Sequence, residues 1–364
     1  MSKIKVLQVV TVMNRGGIET MLMNYFKGLD KNKFEFEFLV HRNSGEYEHE
    51  IIALGGKIHR LPALSYKSVF AYIRAIDVFF RENPNFDIVH VHNNTFGYFP
   101  LKYSKKYGIK KRIIHSHIAV MPEKSIKTII GKYLKSKLPK YATDFFACGQ
   151  LAGEWLYGND LEFKIIPNAI DATKFRYNLE IINDDQEEGL NIINVARFSP
   201  QKNHFFLIAI FHELLTEVKN ANLILVGNGE LELQIKEKVN QLGLTDKVHF
   251  LGSRSDVNEI LQKMDLFLMP SFFEGLPVSL VEAQAAGLPC LVSTGVPRES
   301  EIVKGNMTFL DLNDSKQKWV EAILKLSKIA KRDTFNDIVD AGFDIHSSVL
   351  WLQNYYENLV RNDT

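Results

Sequence analysis

The sequence predicts an α/β protein built from two Rossmann-like, doubly wound parallel sheets. Strand-sized apolar runs alternate with amphipathic helical stretches, the pattern of parallel α/β units rather than of segregated strands and helices. The alternation runs its course once and restarts near Asn191. A chain of 364 residues, 46% hydrophobic and 24% charged, is long enough for two ordinary domains.

In the first half, strands are expected at residues 5–12, 34–40, 57–60, 88–92, 112–117 and 144–148. The second half places them at 191–196, 222–226, 247–251, 266–269 and 289–293. Residues 178–189 are acidic and lack apolar periodicity, so they read as an exposed loop. Val349, Leu350, Leu352, Tyr355, Tyr356 and Leu359 recur at helical spacing and predict a terminal helix that packs on a domain surface. The division expected is 1–168, joined by the helix 346–364, and 169–345.

Composition narrows the function classes. No apolar run approaches the roughly 20 residues of a membrane-spanning helix. The N-terminus enters a strand at once, without the regions of a signal peptide, so a cytoplasmic location is expected. Cys148 and Cys290 stand in no redox or metal-ligand spacing and read as buried thiols. The net charge of +1 hides an asymmetry: residues 1–170 hold 25 Lys+Arg against 15 Asp+Glu, the remainder 19 against 28. The first half could face something anionic, or each half could simply carry its own solvated surface. No nucleic-acid partner is expected.

Ligands of open parallel sheets bind beyond the carboxyl ends of strands, where amides and helix N-termini point outward. Gly16 and Gly17 follow the first strand and open a helix, which lets a backbone approach an anion closely, although turn geometry alone explains such a pair as readily. The GxGxxG fingerprint is missing, which speaks against a dinucleotide oxidoreductase. His90 and His92 close one strand, His115 and His117 another, and alternation sends each pair to one face. Imidazoles there can bond sugar hydroxyls or carry a proton. Four histidines raise a metal question, yet no carboxylate or cysteine accompanies them at ligand spacing, so no metal is expected. Lys124, Lys127, Lys132, Lys135, Lys137 and Lys140 surround Ile126, Ile129, Ile130, Tyr133, Leu134 and Leu138 as a basic amphipathic helix. It fits an anionic membrane surface or, equally, an ordinary surface helix.

The second half carries the stronger pattern. Arg197 and Lys202, five apart at a strand-to-helix turn, could grip a diphosphate from two sides. Gly227 and Gly229 end the next strand and leave room for a base or ribose. The segment 270–283 ends a strand, turns at Gly275 and Pro277, and puts Glu274 in the loop and Glu282 in the following helix. Paired carboxylates accept bonds from vicinal hydroxyls, which suits a sugar and a ribose.

These residues resemble the retaining glycosyltransferases of family-four (group 1) type, which include bacterial capsule, exopolysaccharide and lipopolysaccharide enzymes. The resemblance covers nearly the whole chain. Its most specific element is Glu-x7-Glu, matched by Glu274 and Glu282, with Gly287 and Pro289 after it. Arg197 and Lys202 match the family's diphosphate-binding pair, Gly227 and Gly229 its VGxG turn, Gly16 and Gly17 its N-terminal loop. Pro167, Asn168 and Asp171 match its PN-x-x-D element, and His117, or else His115, its strand-end histidine. One departure stands out: where the family often has two glycines, residues 293–299 carry only Gly295.

The resemblance implies a GT-B fold, two Rossmann-like domains facing across a cleft, with the acceptor domain first and the donor domain second. It implies catalytic roles for His117, Arg197, Lys202 and Glu274. Donor binding falls to Gly16, Gly17, Asn168, Gly227, Gly229, Gly275, Leu276 and Glu282. His92, Lys124, Lys127, Lys132 and Lys135 are the candidates for acceptor or membrane contact. The donor is a nucleotide sugar, UDP by preference, and a substrate rather than a cofactor. The acceptor is a saccharide or lipid-linked saccharide, with peripheral contact at the inner membrane face. A non-catalytic sugar-nucleotide-binding subunit and an epimerase on the same fold are the alternatives.

Overall fold

The computed structural model describes residues 3–63, 68–117, 126–178 and 189–361, with residues 126–128 as backbone only. They form two compact units, Met1–Ala169 with Ile345–Thr364, and Ile170–Asp344.

The first unit holds a parallel sheet of β1 (Ile4–Val9), β2 (Phe34–Val40), β3 (Lys57–Arg60), β4 (Ile88–Val91), β5 (Lys111–Ser116), β6 (Asp144–Ala147) and β7 (Lys164–Ile165). Its order is β3-β2-β1-β4-β5-β6-β7. The central strands are buried on both faces, as continuous apolar runs in a parallel sheet covered by helices should be. The chain travels outward from β1 to β3, then returns to β4 on the other side of β1. That reversal makes β1/β4 the switch point, where the crossover helices diverge and leave a crevice at the carboxyl ends.

The helix Ile345–Arg361 completes this unit's core. Val349, Leu352 and Tyr356 pack with Phe34 and Phe36, and a side chain at Gly28 would come within 2.8 Å of Val349. Leu350, expected among the packing residues, is exposed instead, because the buried stripe passes through 349, 352 and 356.

The second unit repeats the plan with β8 (Asn191–Val195), β9 (Asn222–Val226), β10 (Val248–Gly252), β11 (Leu266–Met269), β12 (Cys290–Ser293) and β13 (Met307–Leu310), ordered β10-β9-β8-β11-β12-β13. Its switch point is β8/β11. The short β7 and the edge strand β13 are additions to the sequence expectation; both are edges with incomplete burial and no apolar alternation to announce them. Among the described residues no helix is long and apolar enough to cross a membrane.

Candidate functional site

Three turns meet beyond the carboxyl ends of β9, β8 and β11. The turn after β9 lies flat against the turn after β8: Ala196 N donates to Val226 O, and Phe198 N to Asn228 O. This approach is why both residues are glycine. Gly227 has φ +138°, and a Cβ there would stand 2.1 Å from Ala196 O; one at Gly229 would stand 2.2 Å from Phe198 O. Arg197 leaves this double turn and pairs with Glu230 at 3.1 Å, both side chains largely exposed.

The turn after β8 is stitched in turn to the loop after β11. Phe272 N donates to Gln201 O, and Gln201 Nε2 donates to Phe273 O at 2.8 Å. Lys202 Nζ donates to Glu274 Oε1 at 2.6 Å, with the Lys202 side chain 18% and the Glu274 side chain 6% exposed. On the far side, Glu274 N donates to Gly295 O, and a Cβ at Gly295 would stand 2.2 Å from Phe272 O. The single glycine of segment 293–299 therefore holds the Glu274 loop in place.

Glu282 lies on the helix Val278–Ala285, which starts just after Pro277; Leu276 before it is buried and Gly275 half-buried. Burial raises the Glu282 carboxyl from 4.5 to about 7, partly offset by Lys174. Its carboxylate accepts no hydrogen bond among the described residues, so it is a desolvated acceptor suited to hydroxyl donors. Asp171 caps the short helix Ala172–Phe175 through Lys174 N, while Asn168 is buried in the first unit.

The first unit's strand ends carry a different constellation. Gly16 caps the helix Gly17–Gly28, and a side chain at Gly16 would collide with the Glu19 carboxylate. His90, His92, His115 and His117 are all buried and stack on one another, with ring centroids 4.0–5.4 Å apart. Burial holds the four rings well below the usual histidine range, His90 and His117 at about 3, so they are neutral. His92 Nδ1 meets His117 Nε2 at 2.8 Å, His92 Nε2 meets Gln8 Oε1 at 2.8 Å, and His90 Nδ1 meets Tyr356 Oη at 2.7 Å. His92 thus spends both nitrogens on protein partners.

Donor atoms of His90, His92 and His115 lie within 4.8 Å of one another. The His90 ring stacks on His92 and on His115 with interplanar angles of 27° and 16°. The adjoining cavity, about 10 Å³, is lined by Met21, Leu22, Phe36 and Leu352 besides the rings, and by no carboxylate. Coordination of a divalent cation through His92 would cost that ring one of its hydrogen bonds.

The basic helix spans Ile126–Tyr141. Lys124 and the Lys127 side chain lie outside the described residues. Lys132 is exposed. Lys135 is not turned outward as expected: its ammonium donates to Trp155 O and sits 5.3 Å from the Trp155 ring. The exposed face carries Ile129, Ile130 and Tyr133 instead.

Gln8, Tyr356, Gln201 and Glu230 organise these sites without having been singled out as site residues. Only Gln8 left a signal, a lone amide inside the apolar run of β1.

Fold and site together define a class: a two-unit α/β protein whose second unit gathers cations and carboxylates at a sheet switch point. Residues 179–337 match the family described as Glycosyl transferases group 1, and residues 15–174 match Glycosyltransferase Family 4. EpsF of Bacillus subtilis, named for glycosyl transfer, is 33% identical, over 100% of this chain and 98% of that protein. The UDP-Gal:alpha-D-GlcNAc-diphosphoundecaprenol alpha-1,3-galactosyltransferase of Escherichia coli is 23% identical, over 99% of this chain and 98% of that one. HepE of Anabaena, crystallised with UDP and glucose, superimposes with a TM-score of 0.79 at 17% identity, covering 97% of this chain and 99% of its own. The chain belongs to the group 1, family-four glycosyltransferases, and its fold is GT-B.

Proposed function

We propose that the protein transfers a sugar from a UDP-sugar to a lipid-linked or free saccharide in surface-polysaccharide assembly, with retention at the anomeric carbon and without a metal. The observation that carries this reading is the Lys202–Glu274 pair at the β8/β11 switch point. It sets a cation and a hydroxyl-binding carboxylate side by side, as a sugar joined to a diphosphate requires. UDP draws support from the HepE complex, and a lipid-linked acceptor from the Escherichia coli relative's name.

In such a transfer the bond from the anomeric carbon to the diphosphate oxygen breaks while charge grows on the leaving group. Fixed cations aimed there act chiefly on the transition state. Arg197 and Lys202 take that role, and the amides of the Gly16–Gly17 turn add neutral donors. Glu274 accepts bonds from the donor sugar and Glu282 from the ribose, with Gly275 and Leu276 on the stretch of chain between them. Gly227 and Gly229 let the two turns that would carry the nucleotide lie against each other. The acceptor oxygen forms the new bond on the face the leaving group departs from, and its proton passes to the departing diphosphate. His117 bonds the sugar or the acceptor hydroxyl.

Exposed Ile129, Ile130, Lys132 and Tyr133 fit shallow contact with an anionic membrane surface. A labelled UDP-sugar with a polyprenyl-diphosphate saccharide, in EDTA, tests the whole reading. Expected is an α-linked product plus UDP. Activity that EDTA abolishes and Mg²⁺ restores removes the metal-free claim, and donor conversion without acceptor identifies an epimerase.

A further inference from the structure

Gln8 is the penultimate residue of β1, buried between Leu7 and Val9, where an amide has no packing advantage over a leucine. In register it stands beside His90 of β4, so strand alternation puts it on the face shared with His90 and His92. A buried polar group persists when its bonds do work that an apolar group would not.

Those bonds fix a direction. A carbonyl oxygen only accepts, so at 2.8 Å from Gln8 Oε1 the proton sits on His92 Nε2. His92 is neutral and carries one proton, so its Nδ1 is a bare acceptor, and the proton shared with His117 at 2.8 Å belongs to His117 Nε2. His117 is neutral as well, which leaves its Nδ1 bare. That atom is buried and has no partner among the described residues. The amide is held in this orientation from its other end, where Gln8 Nε2 donates to Tyr356 Oη at 3.4 Å, the phenol oxygen itself lying 2.7 Å from His90 Nδ1. The groups facing the His92–His117 pair are His90 and His115 on the same strands and Tyr356 from the terminal helix. Burial is the leading cause of the lowered value in both rings; His90 and His117 add to it at His92, and nothing but burial acts on His117.

We propose that Gln8 is a positioning residue which, through His92, locks His117 in the Nε2-protonated tautomer, so that His117 meets the sugar or acceptor hydroxyl as an acceptor through Nδ1. This rests on the reading of His117 as a reaction-centre residue. It makes His117 an acceptor for a hydroxyl proton, and excludes it as a donor to a sugar oxygen while the relay holds. Reversing the relay at any one link would reverse it at all of them.

The test is nitrogen NMR of the full chain labelled with ¹⁵N-histidine, with His117 assigned from a His117→Gln spectrum, together with steady-state kinetics of Gln8→Leu and Gln8→Glu. Expected in the wild type is a pyrrole-like Nε2 and a pyridine-like Nδ1 at His117, with Nδ1 shifting when nucleotide sugar and acceptor bind. Glu keeps an acceptor at position 8 and should keep both the tautomer and most of the turnover. Leu should lose the tautomer and lower kcat by about tenfold or more, with the donor KM unchanged. A protonated Nδ1 in the wild type, or a Leu variant with an unaltered spectrum, overturns the relay, and the wild-type spectrum decides even if the Leu variant fails to fold. A Leu variant with the altered spectrum and full kcat leaves the relay standing and removes His117 from the reaction centre.

Discussion

The two units build their sites at the same topological position and fill it with opposite electrostatics. In the second unit, Arg197–Glu230 and Lys202–Glu274 put charge at the strand ends in pairs that solvent partly reaches. In the first, four neutral rings are stacked out of solvent's reach. Arg15 and Arg60 near the first unit's strand ends are paired with Glu46 and Glu48, and surface helices such as Ile126–Tyr141 carry further basic residues. Topology decides where a ligand can meet the sheet, and side chains decide whether it meets charge or a neutral hydrogen-bonding surface.

The comparison breaks most visibly in acid. Five buried histidines of the first unit, His41, His90, His92, His115 and His117, have lowered folded-state pKa values, against His204 alone among the described residues of the second. Because the unfolded chain takes up protons first, their contribution is intact above about pH 6.5 and lost as pH falls toward 3. By pH 5 the loss is about 2 kcal/mol per ring. Hydrogen exchange followed by unit between pH 7 and 4.5 should show the first unit opening earlier. If the second opens first, the rings are not the acid-labile element.

Turnover comes next. Lys202→Ala should lower kcat by about 10²–10³-fold, since the cation acts on charge that develops only in the transition state. A Lys202→Ala, Glu274→Ala double cycle separates that role from the ion pair. Turnover equal to wild type in Lys202→Ala would place the catalytic cation elsewhere.

A smaller effect tests Glu282. With its folded pKa raised to about 7, its stabilising contribution is complete below pH 4.5 and lost as pH rises through 7, while hydroxyl donors bind its ionised form. Nucleotide-sugar affinity should rise by about tenfold from pH 6 to pH 8. Glu282→Gln should flatten that profile and raise the ligand-free Tm at pH 8. A profile unchanged by the substitution assigns the titration to another group.

Smallest is the membrane contact. Lys132→Glu should reduce sedimentation with anionic vesicles at low salt by roughly 1–2 kcal/mol, since one charge is lost and an opposite one gained. Equal sedimentation of both forms takes Lys132 out of that surface.

Much of this was legible in the sequence because local signals agreed with tertiary outcome. The spans of β9 and β11 follow directly from apolar runs bounded by turn residues, and that of β2 from its alternation of Phe and Glu. Arg197, Lys202, Glu274 and Glu282 were readable because each sits in or just after a strand-to-helix turn at a fixed spacing. The relay was not readable: Gln8 and Tyr356 are 348 residues apart, and no local pattern joins them. Nor was the rotation of Lys135 onto Trp155, because Ile129, Ile130 and Tyr133 make a second apolar stripe that leaves the helix's buried face undecided. Gly227 and Gly229 were legible as glycines that something needs, but the neighbouring turn that needs them lies on another strand.

The terminal helix also sets an order of events during synthesis. Tyr356 fills the space over Phe34 and Phe36 and supplies the hydroxyl to His90, yet it is made after the whole of Ile170–Asp344. A nascent chain can finish the Ile170–Asp344 unit while the earlier one still waits with an open aromatic floor. The part made first is thus the part closed last, and its exposed phenylalanines are what a chaperone would meet in the interval.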